Sequence, residues 1–192
     1  FFQPKHILDY RSYVEEQKFL EGTGSLVLDR VNRIAYAALS PRTDAYLVQR
    51  FCEDMGYFPV VFEAGAMIHQ KWQDIYHTNV MMSIGEDFAV VVADAIYKPK
   101  QRSHVLNTLA ASGRHVIILS IPQMLAFCAN LLQLATTDGR KVVAISQTAF
   151  DALSESQRKL IGTESQFVVS DISNIEHASG GSVRCMLAEV FR

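Results

Sequence analysis

The chain has 192 residues, a formal net charge of −2 and 49% hydrophobic residues, which suits one globular domain with a sizeable core. Near-neutral charge argues against nucleic acid as the main partner, because phosphate binding needs a basic face. No apolar run reaches the length of a membrane span and no signal segment opens the chain, while the three scattered cysteines (Cys52, Cys128, Cys185) suit neither a disulfide framework nor a zinc site, so a reducing, cytoplasmic setting is expected.

In chain order, the first recognisable element is His6–Tyr10, which looks like the closing strand of a unit whose other parts are missing. Ser25–Arg30 and Ile34–Leu39 read as strands joined across Val31-Asn32-Arg33, with Asn32 as the turn former. Thr43–Met55 has helical spacing, with Ala45, Val48, Phe51 and Cys52 on one face; Thr43 is the expected cap and Gly56 the stop. Phe58–Phe62 closes this unit as a strand. The pattern returns as strands Val80–Ile84 and Phe88–Asp94, helix Lys100–Ser112 ending at Gly113, and strand His115–Leu119. It returns again as strands Leu131–Thr136 and Lys141–Ile145, helix Ser154–Ile161 ending at Gly162, and strand Phe167–Val169. Arg184–Phe191 reads as a first strand with nothing after it.

The sequence thus predicts three ββαβ units, at about residues 24–63, 78–119 and 130–170, with a closing strand at 184–191. Near-continuous apolar strands such as Val116–Leu119 imply burial on both faces. Segment starts at Leu26, Val80, Leu131 and Met186 recur at intervals of 54, 51 and 55 residues. Repeat folds that close on themselves often pair strands from opposite ends of the chain. The incomplete end units therefore lead to the expectation that this is the C-terminal portion of a longer protein, and that alone it is inactive.

Just before three of those starts sit Glu21, His77 and Cys185. A carboxylate, an imidazole and a thiol are the parts of a thiol-nucleophile triad. Each has an ordinary alternative. A lone cysteine in an apolar strand is usually a small buried hydrophobe. His77 could be a surface histidine and Glu21 a solvated acid beside the Gly22-Thr23-Gly24 turn. Arg42, in Ser40-Pro41-Arg42-Thr43-Asp44, is either a surface arginine or a carboxylate clamp suited by its planar fork of donors. No histidine pair has metal-ligand spacing, and the glycine turn lacks either phosphate-loop pattern.

Taken together, FLEGTGSLVLDR (19–30), SPRTD (40–44), HTNVMMSIG (77–85) and GGSVRCM (180–186) resemble the guanidino-modifying, or pentein, superfamily. This group comprises the arginine deiminases, dimethylarginine hydrolases and amidinotransferases, and the resemblance is nearest to the amidinotransferase-like citrulline-utilisation hydrolases. It spans Phe19 to Phe191 and implies an α/β propeller of ββαβ units, here incomplete, forming a single amidinotransferase-like catalytic domain over 1–192. It also implies Cys185 as nucleophile, His77 as general acid/base, Glu21 as its orienting acid and Arg42 as the substrate carboxylate's partner. Where the deiminases carry an aspartate two residues after the histidine, this chain has Asn79; a neutral amide offers donor and acceptor, matching a ureido group better than a guanidinium.

The implied activity is hydrolysis at the ureido or guanidino carbon of a small amino acid, citrulline to ornithine foremost, with no metal or organic cofactor. Amidinotransferase or arginine deiminase activity is the alternative within this chemistry; a non-catalytic propeller fragment or binding protein is the alternative outside it. The expected partners are the amino-acid substrate and the missing N-terminal segment, with no membrane and with homo-oligomer formation left open.

Overall fold

The computed structural model describes residues 6–189. A 3-10 turn at Arg11–Glu16 and a helical turn α1 (Gly22–Ser25) lead into β1 (Val27–Asp29), β2 (Ile34–Leu39), α2 (Ala45–Met55) and β3 (Phe58–Glu63). A hairpin follows, β4 (Gly65–Ile68) and β5 (Lys71–Asp74). The second unit has a 3-10 turn at Thr78–Val80, then β6 (Met82–Ile84), β7 (Phe88–Val91), α3 (Pro99–Ala111) and β8 (His115–Ile118). After α4 (Ile121–Leu125) comes the third: β9 (Leu132–Ala135), β10 (Lys141–Ser146), α5 (Gln147–Ala152), α6 (Glu155–Ile161) and β11 (Gln166–Ser170). Helix α7 (Ser173–Ser179) and a 3-10 turn at Val183–Met186 close the described part.

Each unit forms its own three-stranded sheet, in the orders β1-β2-β3, β6-β7-β8 and β11-β10-β9. In each, the first two strands pair antiparallel and the last two parallel. A tight turn suffices for an antiparallel pair, whereas a parallel pair needs a crossover long enough to hold a helix, which α2, α3 and the α5–α6 pair supply. The middle strands are the most buried: Ala35, Tyr36, Ala37 and Ala38 of β2, and all of β7. Their small and β-branched residues allow packing on both faces.

The units are joined through their first strands, with β1 lying against β6 and β6 against β9. One continuous core runs through all three, including Tyr36, Phe62, Met82, Phe88, Leu131 and Ile145. A smaller cluster under α2 holds Val48, Cys52 and Tyr57, with Phe51 against it, so Cys52 packs as its helical spacing indicated. Full burial of such side chains is worth about 1.5–3 kcal/mol each. Cys52 and Cys128 are both unpaired and buried. Across the first two units, Asp29 and Arg114 make a two-pronged buried ion pair at 2.6 and 3.1 Å.

Several local expectations are corrected. His6–Tyr10 is not a strand but an irregular lead into the first 3-10 turn. Arg184–Phe191 is not a strand either: Val183–Met186 is a 3-10 turn and 187–189 are irregular, while 190–192 lie outside the described residues. The cap of α2 is Asp44, whose side chain accepts from the Leu47 N–H at 3.1 Å, not Thr43, which is buried. Gly56 stops α2 in the left-handed conformation, at φ 67°, whereas Gly162 follows α6 at φ −85°, a backbone angle that does not itself demand glycine. The third crossover is two short helices in place of one.

Candidate active site

Glu21 heads α1, and its N–H is held by the Ser25 hydroxyl at 2.9 Å. Ser25 in turn donates to the Arg42 carbonyl at 2.8 Å, which fastens the glycine turn to the Ser40–Asp44 loop. His77 enters on the stretch after the hairpin. It is anchored by its neighbour: the buried Thr78 hydroxyl donates to the Ser25 carbonyl at 2.5 Å and accepts from the Ala38 N–H at 2.8 Å. These two tethers bring His77 Nε2 to 2.7 Å from Glu21 Oε2. The imidazole lies close against Gly24, where a β-carbon would come within 2.8 Å of the ring.

Arg42 Nη1 stands 3.7 Å from the same Glu21 oxygen, with its guanidinium over the Tyr76 ring at 5.2 Å. Both charged groups are half exposed, so this pair contributes little to stability. Arg42 thus belongs to the Glu21–His77 cluster, with about half of its side chain exposed.

Cys185 projects outward from the Val183–Met186 turn, while the adjacent Arg184 is buried. Two carboxamides meet the sulfur: Asn130 Nδ2 at 3.3 Å and Asn79 Nδ2 at 3.9 Å. The Oδ1 atoms of both asparagines are buried without a partner. The Tyr76 hydroxyl donates to the Gly180 carbonyl at 3.1 Å, binding the His77 segment to the loop before Cys185. Burial, and then the charge of the Cys185 sulfur, push the Tyr76 phenol above its ordinary pKa while Arg42 opposes them, so it stays an O–H donor. The Glu21–His77 contact is therefore formed, Arg42 adjoins it and Asn79 reaches the sulfur; no hydrogen bond joins His77 directly to Cys185.

Arg184 has a guanidinium lowered from its ordinary range by burial, with the charges of Glu189 and Cys185 working against that. Its Nε has no partner. It lines a cavity of about 540 Å³ that is bounded by Leu28, Ile84 and Leu132 rather than by the His77 cluster. Among the described residues no three His, Cys, Asp or Glu side chains gather as a metal site, and no helix is long and apolar enough to cross a membrane.

Asn130 and Tyr76 were not among the residues the motifs singled out. A signal for Asn130 was available: counted strictly, the residues directly before the four segment starts are Ser25, Asn79, Asn130 and Cys185. The last three are the ones that meet at the sulfur, whereas His77 and Glu21 lie further upstream of their starts.

No curated protein matches the chain. The cyanobacterial arginine dihydrolase ArgZ, from the ornithine-ammonia cycle, matches in its apo structure with a TM-score of 0.66 at 14% identity, over 87% of this chain and 23% of its own. Its N-terminal domain, solved bound to product, matches with a TM-score of 0.65 at 15% identity, over 87% of this chain and 55% of its own. AgrE, solved with ornithine and NAD+, gives a TM-score of 0.65 at 15% identity, over 87% and 22%. At this identity the likeness is one of fold, a mixed α/β fold of small sheets, and the chain spans about a quarter of the full-length relatives and about half of the N-terminal domain. The family model described as "N,N dimethylarginine dimethylhydrolase, eukaryotic" matches residues 1–192. With its whole length matched, the chain belongs to the N,N-dimethylarginine dimethylhydrolase family of the guanidino-modifying superfamily.

Proposed function

We propose that this protein is a cysteine-dependent hydrolase of the C–N bond in a ureido or guanidino group, with citrulline as substrate and ornithine as product. The observation that carries the reading is the His77–Glu21 contact of 2.7 Å on a segment whose Asn79, two residues on, reaches the Cys185 sulfur. Cys185 as thiolate attacks the ureido carbon. His77 gives its proton to the side-chain nitrogen of ornithine as the C–N bond breaks, leaving a carbamoyl group on sulfur. His77 then takes a proton from water, whose oxygen attacks the carbamoyl carbon. The S–C bond breaks, Cys185 leaves as thiolate, and carbamic acid departs, falling to carbon dioxide and ammonia. Glu21 holds the ring and balances the charge it gains, and Arg42 takes the substrate carboxylate.

Asn79 supports the neutral substrate. It is 2% exposed, carries no charge, and its Oδ1 awaits a donor. A second reading is favoured by the family match: with N,N-dimethylarginine, dimethylamine would leave first and water would release citrulline. Assays of citrulline, N,N-dimethylarginine and arginine side by side, scoring ornithine, dimethylamine and ammonia, separate the two. Citrulline is expected to turn over fastest; equal or better turnover of arginine would defeat the argument from Asn79, and turnover of none would defeat the hydrolase. Asn79→Asp is expected to shift preference toward a guanidinium substrate by about 1–3 kcal/mol, the size of a hydrogen bond to a charged group.

Gly24 offers an independent check. Its β-carbon would sit 2.8 Å from the His77 ring, so Gly24→Ala must push the imidazole away from Glu21. Turnover is expected to fall by about 100-fold, as small misplacements of a catalytic group do, with little change in melting temperature. Unchanged kcat would show that the ring position does not matter.

The same reading treats the three ββαβ units as propeller blades about a common axis, supported by β1, β6 and β9 lying in succession against one another. An experimental structure with these strands in one continuous sheet would overturn it.

A further inference from the structure

Asn130 stands where three parts of the site meet. The residue is 1% exposed, and its Nδ2 has two protons with two acceptors in reach: the Asn79 backbone carbonyl at 3.1 Å and Cys185 Sγ at 3.3 Å. Its own backbone carbonyl accepts the Arg184 N–H at 3.4 Å. The residue therefore touches the sulfur, the turn that carries it, and the segment that carries His77. Its Oδ1 has no partner, so the planar amide is held from the nitrogen side alone. An N–H directed at a neutral thiol is a weak contact; directed at a thiolate it is charge-assisted and much stronger.

We propose that Asn130 is a positioning residue for the reaction: its amide holds the Cys185 sulfur as an anion and sets its place relative to the His77 segment. The proposal rests on Cys185 being the nucleophile. Asn79 also points its amide at the sulfur, but from 3.9 Å, so Asn130 supplies the main contact. A purely structural Asn130, tying two loops together, would stabilise the fold and leave the protonation of the sulfur alone. The two roles are therefore distinguishable by a pH profile.

Asn130→Asp keeps the shape, removes both N–H donors and sets an acceptor beside the sulfur. Iodoacetamide alkylation of Cys185, followed by intact mass and peptide mapping, reads the thiolate directly and needs no substrate. In Asn130→Asp the alkylation rate at neutral pH is expected to fall about tenfold or more, and the midpoint of its pH profile to rise by about one unit, the equivalent of one such lost hydrogen bond. Turnover should fall in step, with KM little changed. A wild-type pH profile in the folded variant would overturn the proposal. Should Asn130→Asp fail to fold, Asn130→Ser, which withdraws the amide without adding charge, carries the same two expectations. Whether Cys185 is the nucleophile at all is decided separately, by the turnover of Cys185→Ser, so the failure of one reading is not mistaken for that of the other.

Discussion

Cys185→Ser is expected to lose turnover by about 10⁴-fold or more while melting at the wild-type temperature. The size follows from losses seen when a nucleophile acting in concert with its neighbours is removed. Serine is nearly isosteric, but its hydroxyl does not ionise near neutrality, and the two amides aimed at this atom favour an anion. Stability should be unaffected because the side chain is exposed on a 3-10 turn and fills no part of the core. The other two cysteines serve as controls. Cys52 packs under α2, and Cys128, whose thiol burial pushes up to about 12, donates to the Ala149 carbonyl at 3.3 Å. Their serine variants should keep catalysis once folded. The assay is kcat with the best of the three substrates, together with a search by mass for an acyl-like adduct on wild-type Cys185. Activity of Cys185→Ser within tenfold of wild type would remove the nucleophile from the mechanism.

Asp29→Ala is expected to cost about 3–5 kcal/mol, the usual loss when one partner of a buried ion pair is deleted. For a chain of this size that corresponds to roughly 6–20 °C in melting temperature. Asp29 is fully buried and accepts four hydrogen bonds, two from Arg114 at 2.6 and 3.1 Å and two from Asn32 at 2.8 and 3.0 Å, so each carboxylate oxygen accepts two. Arg114 also donates Nε to the Gly85 carbonyl at 2.7 Å. The pair therefore closes the β1–β2 turn and clamps it to the β6–β7 turn. Burial pushes the Asp29 carboxyl up, but the hydrogen bonds from Asn32 and Arg114 outweigh it, and the group sits below the ordinary aspartate range. A depressed carboxyl stabilises the fold above its unfolded pKa, near 3.9, and loses that contribution as pH falls through the lower folded value. The gap between wild type and Asp29→Ala should thus be full at neutral pH and narrow in strong acid. Thermal melts by circular dichroism across this range test it; an unchanged melting temperature, or a gap independent of pH, would mean the pair contributes nothing.

Much of the fold was legible in the chain because local rules and tertiary needs agree there. The three units appear where apolar strands alternate with a helix-length polar-faced stretch, and Gly56 marks a helix end because it alone takes the left-handed conformation without strain. Other elements form without a local signal. The β4–β5 hairpin turns through His69 and Gln70, both at positive φ, with none of the Asn-Gly chemistry that announces such a turn. Arg184–Phe191 has a strand's composition, yet its first residues belong to the Val183–Met186 3-10 turn, and no local pattern in the segment announces it.

The site divides the same way. Residue type and position in the repeat singled out Glu21, Arg42, His77 and Cys185, because thiol, imidazole and carboxylate chemistry is a property of the side chains and needs no coordinates; Asn79 came from the family resemblance, as the position where the deiminases carry an aspartate. Their meeting is a different matter. Glu21 reaches His77 only because Ser25 and Thr78 tie two units together, and Asn130 reaches the sulfur only because the Val183–Met186 turn packs against β10 and donates the Arg184 N–H to the Asn130 carbonyl. Those distances are set by packing between residues 50 or more positions apart in the chain, and no local pattern encodes them.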